Sequence, residues 1–209
     1  PSHILVPGDF SSAAFLITAA VLVPNSEVRF KGVGVNPTRT GFLDALSIMG
    51  ADIKVENLHD VGGEPVADII AKYSTLRAID VNRDLVVRMI DEFPVFAVLA
   101  SQAEGVTTVR NASELRLKES DRISVLAGEL RKFGVSVTEY QDGFSIIGPQ
   151  PIYSAQVDSH RDHRLAMSLV IASLLATGDS KVERSEVLNE SFPEFRTELA
   201  SLGAQVGEI

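Results

Sequence analysis

The strongest constraint on the fold is a pattern that occurs three times along the chain. The segments LSIMGADIKVE, LRKFGVSVTEY and LASLGAQVGEI each have an apolar helical ending, then a glycine, then alternating residues. The glycines Gly50, Gly134 and Gly203 suit the left-handed position that closes many helices, and the alternation after them predicts a strand. A second, more apolar helix is predicted upstream of each, in SSAAFLITAAVLV, IDEFPVFAVLASQA and HRLAMSLVIASLLA. The chain is therefore predicted to consist of three similar units of about 70 residues each.

This repeat also predicts how the units pack. A helix that is apolar on every side must be buried, whereas a helix that is apolar on one side covers a sheet. We therefore predict a single α/β domain of three modules wrapped around buried, roughly parallel helices. The polar N-terminal ends of those helices would then share one face, where their dipoles favour an anion. The opening residues PSHILVPGD are interpreted as a strand, and because no initiator methionine precedes them we expect a piece of a longer protein.

Composition excludes several classes of protein. The formal net charge of −9 argues against a nucleic-acid binder that relies on bulk attraction to phosphates. The absence of cysteine excludes disulfides, thiolate metal sites and cysteine nucleophiles. The longest apolar runs, such as LAMSLVIASLLA, fall short of the ~20 residues that a membrane-spanning helix needs. An anion site in this chain must therefore be a local group of cations on an acidic background.

Two charged motifs stand at predicted helix starts. LKESDR places Lys118 and Arg122 where the helix dipole disfavours a cation, which costs stability unless an anion is bound there. The alternative is a solvated helix start with Ser120 or Asp121 as the N-cap and surface ion pairs around it. In SHRDHR, two histidines separated by arginines make a poor metal site, and an anion-facing helix start is the better interpretation.

Other polar helix starts have simpler explanations. Asp91 precedes a helix whose first turn would accept acids and proline, although an acid beside a cationic pocket could also serve as a base. Asp9, Ser11 and Ser12 are interpreted as N-caps. NPTRTG has neither of the common phosphate-loop spacings, and we interpret it as a turn followed by a helix start.

Taken together, the motifs indicate a family. The chain contains, in this order, PGDFSSAAF, NPTRTG, MIDEFP, LRLKESDRIS, DHRLAMSL and SFPEF. In that order and spacing they resemble the C-terminal half of 5-enolpyruvylshikimate-3-phosphate synthases, over essentially all 209 residues. The resemblance implies an α/β domain of three βαβαββ repeats, the second of the two domains of such an enzyme, with residues 1–209 forming that domain.

The resemblance also implies a reaction. It is the transfer of the enolpyruvyl group of phosphoenolpyruvate to the 5-hydroxyl of shikimate 3-phosphate, with release of phosphate, in the shikimate pathway of the cytoplasm. Asp91 matches the family's general base, Lys118 the lysine that reaches both substrates, and Glu119 the glutamate of proton transfer. Arg122 and Arg164 match the arginines that bind phosphoenolpyruvate, with His163 beside the latter. No metal or organic cofactor is implied.

The sequence departs from the family's pattern in two respects, and these limit the roles that the resemblance can assign. Glu190 stands where some family members have a lysine, so no role is assigned to it. The family's first-domain motifs are absent, and we therefore expect these residues to need that domain as a partner for activity. The alternative function is a non-catalytic anion-binding domain that keeps the fold. The related enolpyruvyl transfer to UDP-N-acetylglucosamine is a less favoured alternative, because LKESDR is typical of the shikimate enzyme.

Overall fold

The computed structural model describes residues 5–207, and three similar units follow one another in it. In the first unit, an almost wholly buried helix is followed by a three-stranded antiparallel sheet in the order β1-β3-β2. Its elements are α1 (Phe10–Leu22), β1 (Glu27–Gly34), α2 (Gly41–Ile48), β2 (Asp52–Val61) and β3 (Glu64–Lys72). Gly8, just before α1, forms a single parallel bridge to Val33 of β1, which takes the place of the first strand of a βαβαββ unit.

The second unit repeats this plan with a longer preceding strand. Its sheet has the order β4-β5-β7-β6, in which β4 and β5 are parallel and the other pairs antiparallel. Its elements are β4 (Asp80–Val81), α3 (Asp84–Arg88), α4 (Phe93–Gln102), β5 (Gly105–Val109), a 3₁₀ turn (Ser113–Leu117), α5 (Arg122–Lys132), β6 (Val137–Tyr140) and β7 (Gly143–Gly148). The sequence did not predict α3 or the 3₁₀ turn, since both are too short for an apolar period.

The third unit is shorter within the described residues. Its two strands are parallel, and they flank its buried helix as β4 and β5 flank α4. Its elements are β8 (Gln156–Asp158), α6 (His163–Ser173), β9 (Lys181–Glu183), a 3₁₀ turn (Ser185–Glu190) and α7 (Phe195–Ser201). A cavity of about 850 Å³ lies beside β9, between α6 and residues 205–207.

Two strand predictions need correction. The strand expected after Gly203 does not form in residues 204–207, and residues 208–209 lie outside the described part. At the other end, residues 5–7 have no strand structure, Gly8 makes only an isolated bridge, and residues 1–4 lie outside the described part. In both places alternation indicated a strand, but among the described residues no neighbouring strand pairs with these segments over more than one residue.

The three predicted glycine helix ends are confirmed, and they share one hydrogen-bonding pattern. Gly50, Gly134 and Gly203 have φ angles of 86°, 89° and 96°. In each case the N–H after the glycine donates to the carbonyl of a leucine five residues earlier, at 3.0–3.1 Å: Ala51 to Leu46, Val135 to Leu130 and Ala204 to Leu199. This bond satisfies a carbonyl that the helix end leaves free, and a left-handed residue is needed to form it.

The core is built from the three apolar helices. All residues of α1 but Ser12, and all residues of α4 but Gln102, are buried. The helices α1, α4 and α6 contact one another pairwise, and the amphipathic α5 packs its apolar side against β6 and β7. The predicted α/β arrangement around buried helices is confirmed, and it determines where the polar helix ends lie. Among the described residues, no helix is long and apolar enough to cross a membrane.

Candidate active site

The N-terminal ends of the three buried helices meet at one point. Ser11, near the start of α1, donates a 2.5 Å hydrogen bond from its hydroxyl to Oε1 of Glu92, the residue before α4. On the other side of Glu92, Nη1 of Arg164 at the start of α6 lies 3.9 Å from the same oxygen. Each helix presents free N–H groups and a partial positive charge at this end. The shared face predicted from the repeat is therefore present.

Asp91 lies at the centre of this face, among four cations. Lys118 Nζ and Arg122 Nη1 are each 3.6 Å from its Oδ1. Arg164 Nη2 and Arg39 Nη2 are 3.6 and 3.7 Å from its Oδ2. These distances are too long for hydrogen bonds, so the cations hold the carboxylate by charge and leave its lone pairs free to accept a proton. The side chain is 24% exposed, which leaves it accessible from solvent.

Arg122 is held by the protein itself. Its side chain is 1% exposed, and its Nε and Nη2 donate to the two carboxylate oxygens of Asp162 at 2.8 and 3.3 Å. Nη2 also donates to Glu119 Oε2 at 2.6 Å. The expectation that a cation at this helix start awaits a bound anion is thus wrong in part, because Asp162 already supplies a negative charge. Nη1 is buried and makes no hydrogen bond in the described structure, and it lies 3.6 Å from Oδ1 of Asp91.

Asp162 was not among the residues singled out from the sequence, and it connects the two charged motifs. It is fully buried, and its Oδ1 accepts hydrogen bonds from the backbone N–H groups of Arg164 and Leu165, which caps α6. Burial by itself raises the pKa of the Asp162 carboxyl, but the hydrogen bond and charge of Arg122 outweigh it and hold the pKa below its usual value. The only local signal was an aspartate at a helix start, which normally indicates a cap alone.

The LKESDR loop has both a structural and a site-facing part. Asp121 is the N-cap of α5, accepting from Ser124 N at 3.1 Å, while Ser120 Oγ donates to Asp162 at 3.1 Å. The cap alternative is therefore right about Asp121. Lys118 nevertheless points to the centre of the face, where it lies 3.6 Å from Asp91.

Glu119 and His163 lie at the edge of the same face. Glu119 is about half exposed, at 48%, and contacts Arg122 as described above. His163 is the first residue of α6, and burial lowers the pKa of its imidazole, with the nearby charge of Arg164 acting in the same direction. His160 lies apart, where its Nε2 is 2.9 Å from a carboxylate oxygen of Glu129. Glu190 ends a 3₁₀ turn and is exposed.

Three further residues, Arg39, Ser11 and Glu92, were not recognised from the sequence as part of this face. Arg39 comes from the NPTRTG turn, and its Nη2 donates to Ser11 Oγ at 3.0 Å. Ser11, interpreted as an N-cap, instead contacts Glu92 across 81 residues, while Asp9 caps α1 by accepting from Ser12 N at 2.7 Å. A signal for Arg39 did exist in the repeat, because NPTRT precedes α2 as KESD precedes α5.

Comparison with known proteins agrees with this arrangement. The family model described as EPSP synthase (3-phosphoshikimate 1-carboxyvinyltransferase) matches residues 1–199. A 3-phosphoshikimate 1-carboxyvinyltransferase of Synechococcus sp. (strain RCC307) is 50% identical over 200 residues, covering 96% of this chain and 46% of that protein. The corresponding protein of Geobacillus kaustophilus (strain HTA426) is 49% identical over 203 residues, with 96% and 48% covered. The chain thus spans about half the length of these relatives.

Solved structures show the same relationship. EPSP synthase from Acinetobacter baumannii superposes with a TM-score of 0.93 at 42% identity, covering 96% of this chain and 47% of that one. The enolpyruvyl transferase NikO from Streptomyces tendae has a TM-score of 0.75 at 23% identity, covering 93% of this chain and 43% of that one, which is a likeness of fold alone. The sequence motifs, the repeat and these comparisons lead to one conclusion: the chain belongs to the EPSP synthase family.

Proposed function

We propose that this chain is the second domain of an enzyme that transfers the enolpyruvyl group of phosphoenolpyruvate to the 5-hydroxyl of shikimate 3-phosphate. The observation that carries the proposal is the Asp91 carboxylate, which accepts no hydrogen bond within residues 5–207 and is surrounded there by four cations at 3.6–3.7 Å. A carboxylate whose lone pairs are free can accept a proton, and fixed cations beside it suit substrates that carry phosphate and carboxylate groups.

The reaction requires one proton to leave an oxygen and one to reach a carbon. Asp91 accepts the proton of the attacking 5-hydroxyl as the new C–O bond forms at C2 of the enolpyruvyl group. Glu119 supplies a proton to the methylene carbon, giving a tetrahedral intermediate. The Glu119 carboxylate then takes a proton back from the resulting methyl group, and phosphate departs with the proton that Asp91 had accepted. This restores the C=C bond, completes the transfer and returns both carboxyl groups to their starting states. All of these proton transfers are general acid–base steps.

The cations have different tasks in this scheme. Lys118 provides a compact charge that reaches both substrates. Arg164 presents a planar group that can bind a carboxylate or phosphate through two parallel hydrogen bonds. Arg122 already donates from Nε and Nη2 to Asp162 and Glu119, so only its Nη1 is left to donate to a substrate. His163, with its pKa lowered, adds a neutral hydrogen-bonding group beside Arg164.

The scheme includes the remaining expectations from the family resemblance. The other half of the enzyme would supply the groups that hold the shikimate phosphate, so these 209 residues alone would release no phosphate. The reaction would need neither a metal nor an organic cofactor, and it would run in the cytoplasm.

A phosphate-release assay on the full-length protein tests the proposal. Asp91→Asn keeps the shape of the side chain but removes the base, so we expect kcat to fall about 10²–10⁴-fold. The KM of both substrates should stay within a few fold of wild type, because every cation remains.

Asp44→Asn is the matched control. Asp44 is also an acid in the first turn of a helix, and it pairs with Arg88 at 2.7 Å rather than with any of the four cations around Asp91. Its substitution should leave kcat unchanged. Near-normal turnover by the Asp91→Asn variant would refute the assignment of the base. A wild-type protein that binds phosphoenolpyruvate without turnover would instead indicate a non-catalytic anion-binding domain.

A further inference from the structure

Glu92 is a buried carboxylate that no step of the proposed reaction uses. Its side chain is 1% exposed, and its Oε2 has no hydrogen-bond partner in the described structure. It occupies the N-cap position of α4 yet makes no capping hydrogen bond, so helix capping does not explain it. Burying a charged carboxylate costs free energy, and an oxygen without a hydrogen-bond partner adds to that cost. A function for the charge would explain why it is buried here.

The other oxygen of Glu92 ends a directed chain of hydrogen bonds. Arg39 Nη2 donates to Ser11 Oγ at 3.0 Å, and Ser11 Oγ donates to Glu92 Oε1 at 2.5 Å. A guanidinium can only donate, so the serine must accept from it and is left to direct its own proton to the carboxylate. Glu92 therefore fixes the orientation of the serine, and through it the position of the arginine.

Glu92 also faces a second guanidinium on its other side. Its Oε1 is 4.0 Å from Arg39 Nη2 and 3.9 Å from Arg164 Nη1. These same two arginines lie on Asp91 Oδ2, at 3.7 and 3.6 Å. The buried carboxylate of Glu92 thus lies beside the two arginines that also face Asp91. These groups come from all three repeats.

Arg39 itself is well placed to contact a ligand. Its side chain is 51% exposed, twice the exposure of Asp91, so the guanidinium reaches solvent at the open side of the face. It makes one hydrogen bond, to Ser11, in the described structure, which leaves most of its five N–H donors available.

We propose that Glu92 is a positioning residue that holds Arg39, through Ser11, and Arg164 against Asp91, and that Arg39 is a further contact for the anionic part of phosphoenolpyruvate. The inference rests on the proposed function for the identity of the ligand. The group recognised is a carboxylate or phosphate lying next to Asp91, where a planar guanidinium gives bidentate contact.

Steady-state kinetics on the full-length protein test the contact. Arg39→Gln should raise the KM for phosphoenolpyruvate about 10-fold or more, the usual effect of losing a charge-assisted hydrogen bond, with kcat changed much less. Arg29→Gln is the matched control, since Arg29 on β1 is 45% exposed and pairs with Glu56 on β2 rather than with Asp91 or Glu92. That variant should keep the wild-type KM.

A double-mutant cycle tests whether Glu92 acts through Arg39. Glu92→Gln and Ser11→Ala should each raise the same KM about 3-fold or more, because the arginine loses part of its support. Each should add little once Arg39 is already Gln. Full additivity in the double variants, or an unchanged KM in Arg39→Gln, would overturn the proposal.

Thermal melts of the Glu92→Gln variant distinguish a positioning role of Glu92 from a structural one. Burial raises the pKa of Glu92, against the opposing hydrogen bond of Ser11 and the charges of Arg164 and Arg39, with Asp91 adding to the rise. A raised folded-state pKa means that the folded state is favoured below the ordinary value of 4.5 and loses that advantage as pH rises through the folded pKa. Glu92→Gln should therefore melt higher than wild type at pH 7, and the gain should vanish towards pH 4.5.

Glu129→Gln is the control for this measurement. Glu129 is also buried, and burial raises the pKa of its carboxyl, but hydrogen bonds from Lys132, His160 and the N–H of Asp158 outweigh this effect and lower the pKa. That variant should melt lower than wild type at pH 7. A Glu92→Gln variant that melts lower, or fails to fold, would show that Glu92 is structural and would overturn the proposal.

Failure of the proposed function gives a different result. If the wild-type protein releases no phosphate, titration calorimetry with phosphoenolpyruvate alone still compares wild type with Arg39→Gln and Arg29→Gln. Weaker binding by Arg39→Gln only would support the contact without the reaction. Equal binding by all three proteins would refute it.

Discussion

Removing the charge of Asp162 should weaken the fold and the site together. Asp162 is fully buried and accepts five hydrogen bonds, two from Arg122, one from Ser120 and two from backbone N–H groups of α6. In Asp162→Asn, one oxygen can still cap α6, but the new amide group then faces Arg122, which is itself a donor. A buried guanidinium would lose its main partner.

The magnitude follows from that geometry. Breaking a buried ion pair by neutralising one partner costs about 3–5 kcal/mol. For a domain of this size, about 1 kcal/mol shifts the melting temperature by 2–4 °C, so we expect Tm to fall by roughly 6–20 °C. The pKa of Asp162 is lowered in the fold, so its contribution is present above the ordinary value of 3.8 and is lost as pH falls through the folded pKa.

Thermal melts followed by circular dichroism from pH 7 down to pH 3 provide the assay. The difference in Tm between wild type and Asp162→Asn should be largest at pH 7. It should begin to narrow below about pH 4, where the Asp162 carboxylate of the unfolded chain takes up a proton before that of the folded chain. Asp142→Asn is the control, because Asp142 also pairs with an arginine, Arg110 at 3.1 Å, but at the surface. Equal shifts for both variants, or a gap that does not change with pH, would refute the buried-pair reasoning.

Two further substitutions test separate parts of the structure. Arg122→Lys should lower the free energy of unfolding by about 1.5–3 kcal/mol and raise the KM for phosphoenolpyruvate, because one ammonium cannot replace a guanidinium that contacts two carboxylates. Urea unfolding and steady-state kinetics measure the two effects, and unchanged values of both would contradict the prediction. Gly143→Ala should destabilise the sheet of the second unit, since the added Cβ would lie 2.0 Å from the carbonyl oxygen of Val109. Urea unfolding measures that loss, with Gly128→Ala as the control because its Cβ would meet no atom within 4 Å.

The sequence predicted the features that depend on short stretches of chain. Gly50 closes its helix as its place after an apolar run indicated, and α1 lies within one residue of the predicted segment. Lys118, Arg122, Arg161 and Arg164 were expected on one face together with the aligned helix starts. Lys118, Arg122 and Arg164 do lie near Asp91, whereas Arg161 is exposed and makes no ion pair within the described residues.

What the sequence did not reveal depends on contacts between units. Glu92 and Ser11 are 81 residues apart, and each has an ordinary explanation where it stands. Asp162 likewise resembles a cap until Arg122, 40 residues away, is seen beside it. Hydrophobic period and capping rules describe neighbours along the chain, so they cannot distinguish a polar helix end in water from one that meets another unit.

The meeting of three helix ends couples ligand binding to the integrity of the whole domain. Arg39 belongs to the first unit, Asp91 and Lys118 to the second, and Arg164 to the third. Local opening of any one unit would separate these groups, so an anion that contacts all of them binds only when the three are assembled. By mass action, such a ligand at 100 times its Kd stabilises the assembled state by about 2.7 kcal/mol. A bound substrate would then stabilise the whole domain against local opening, including the sheets that it does not contact.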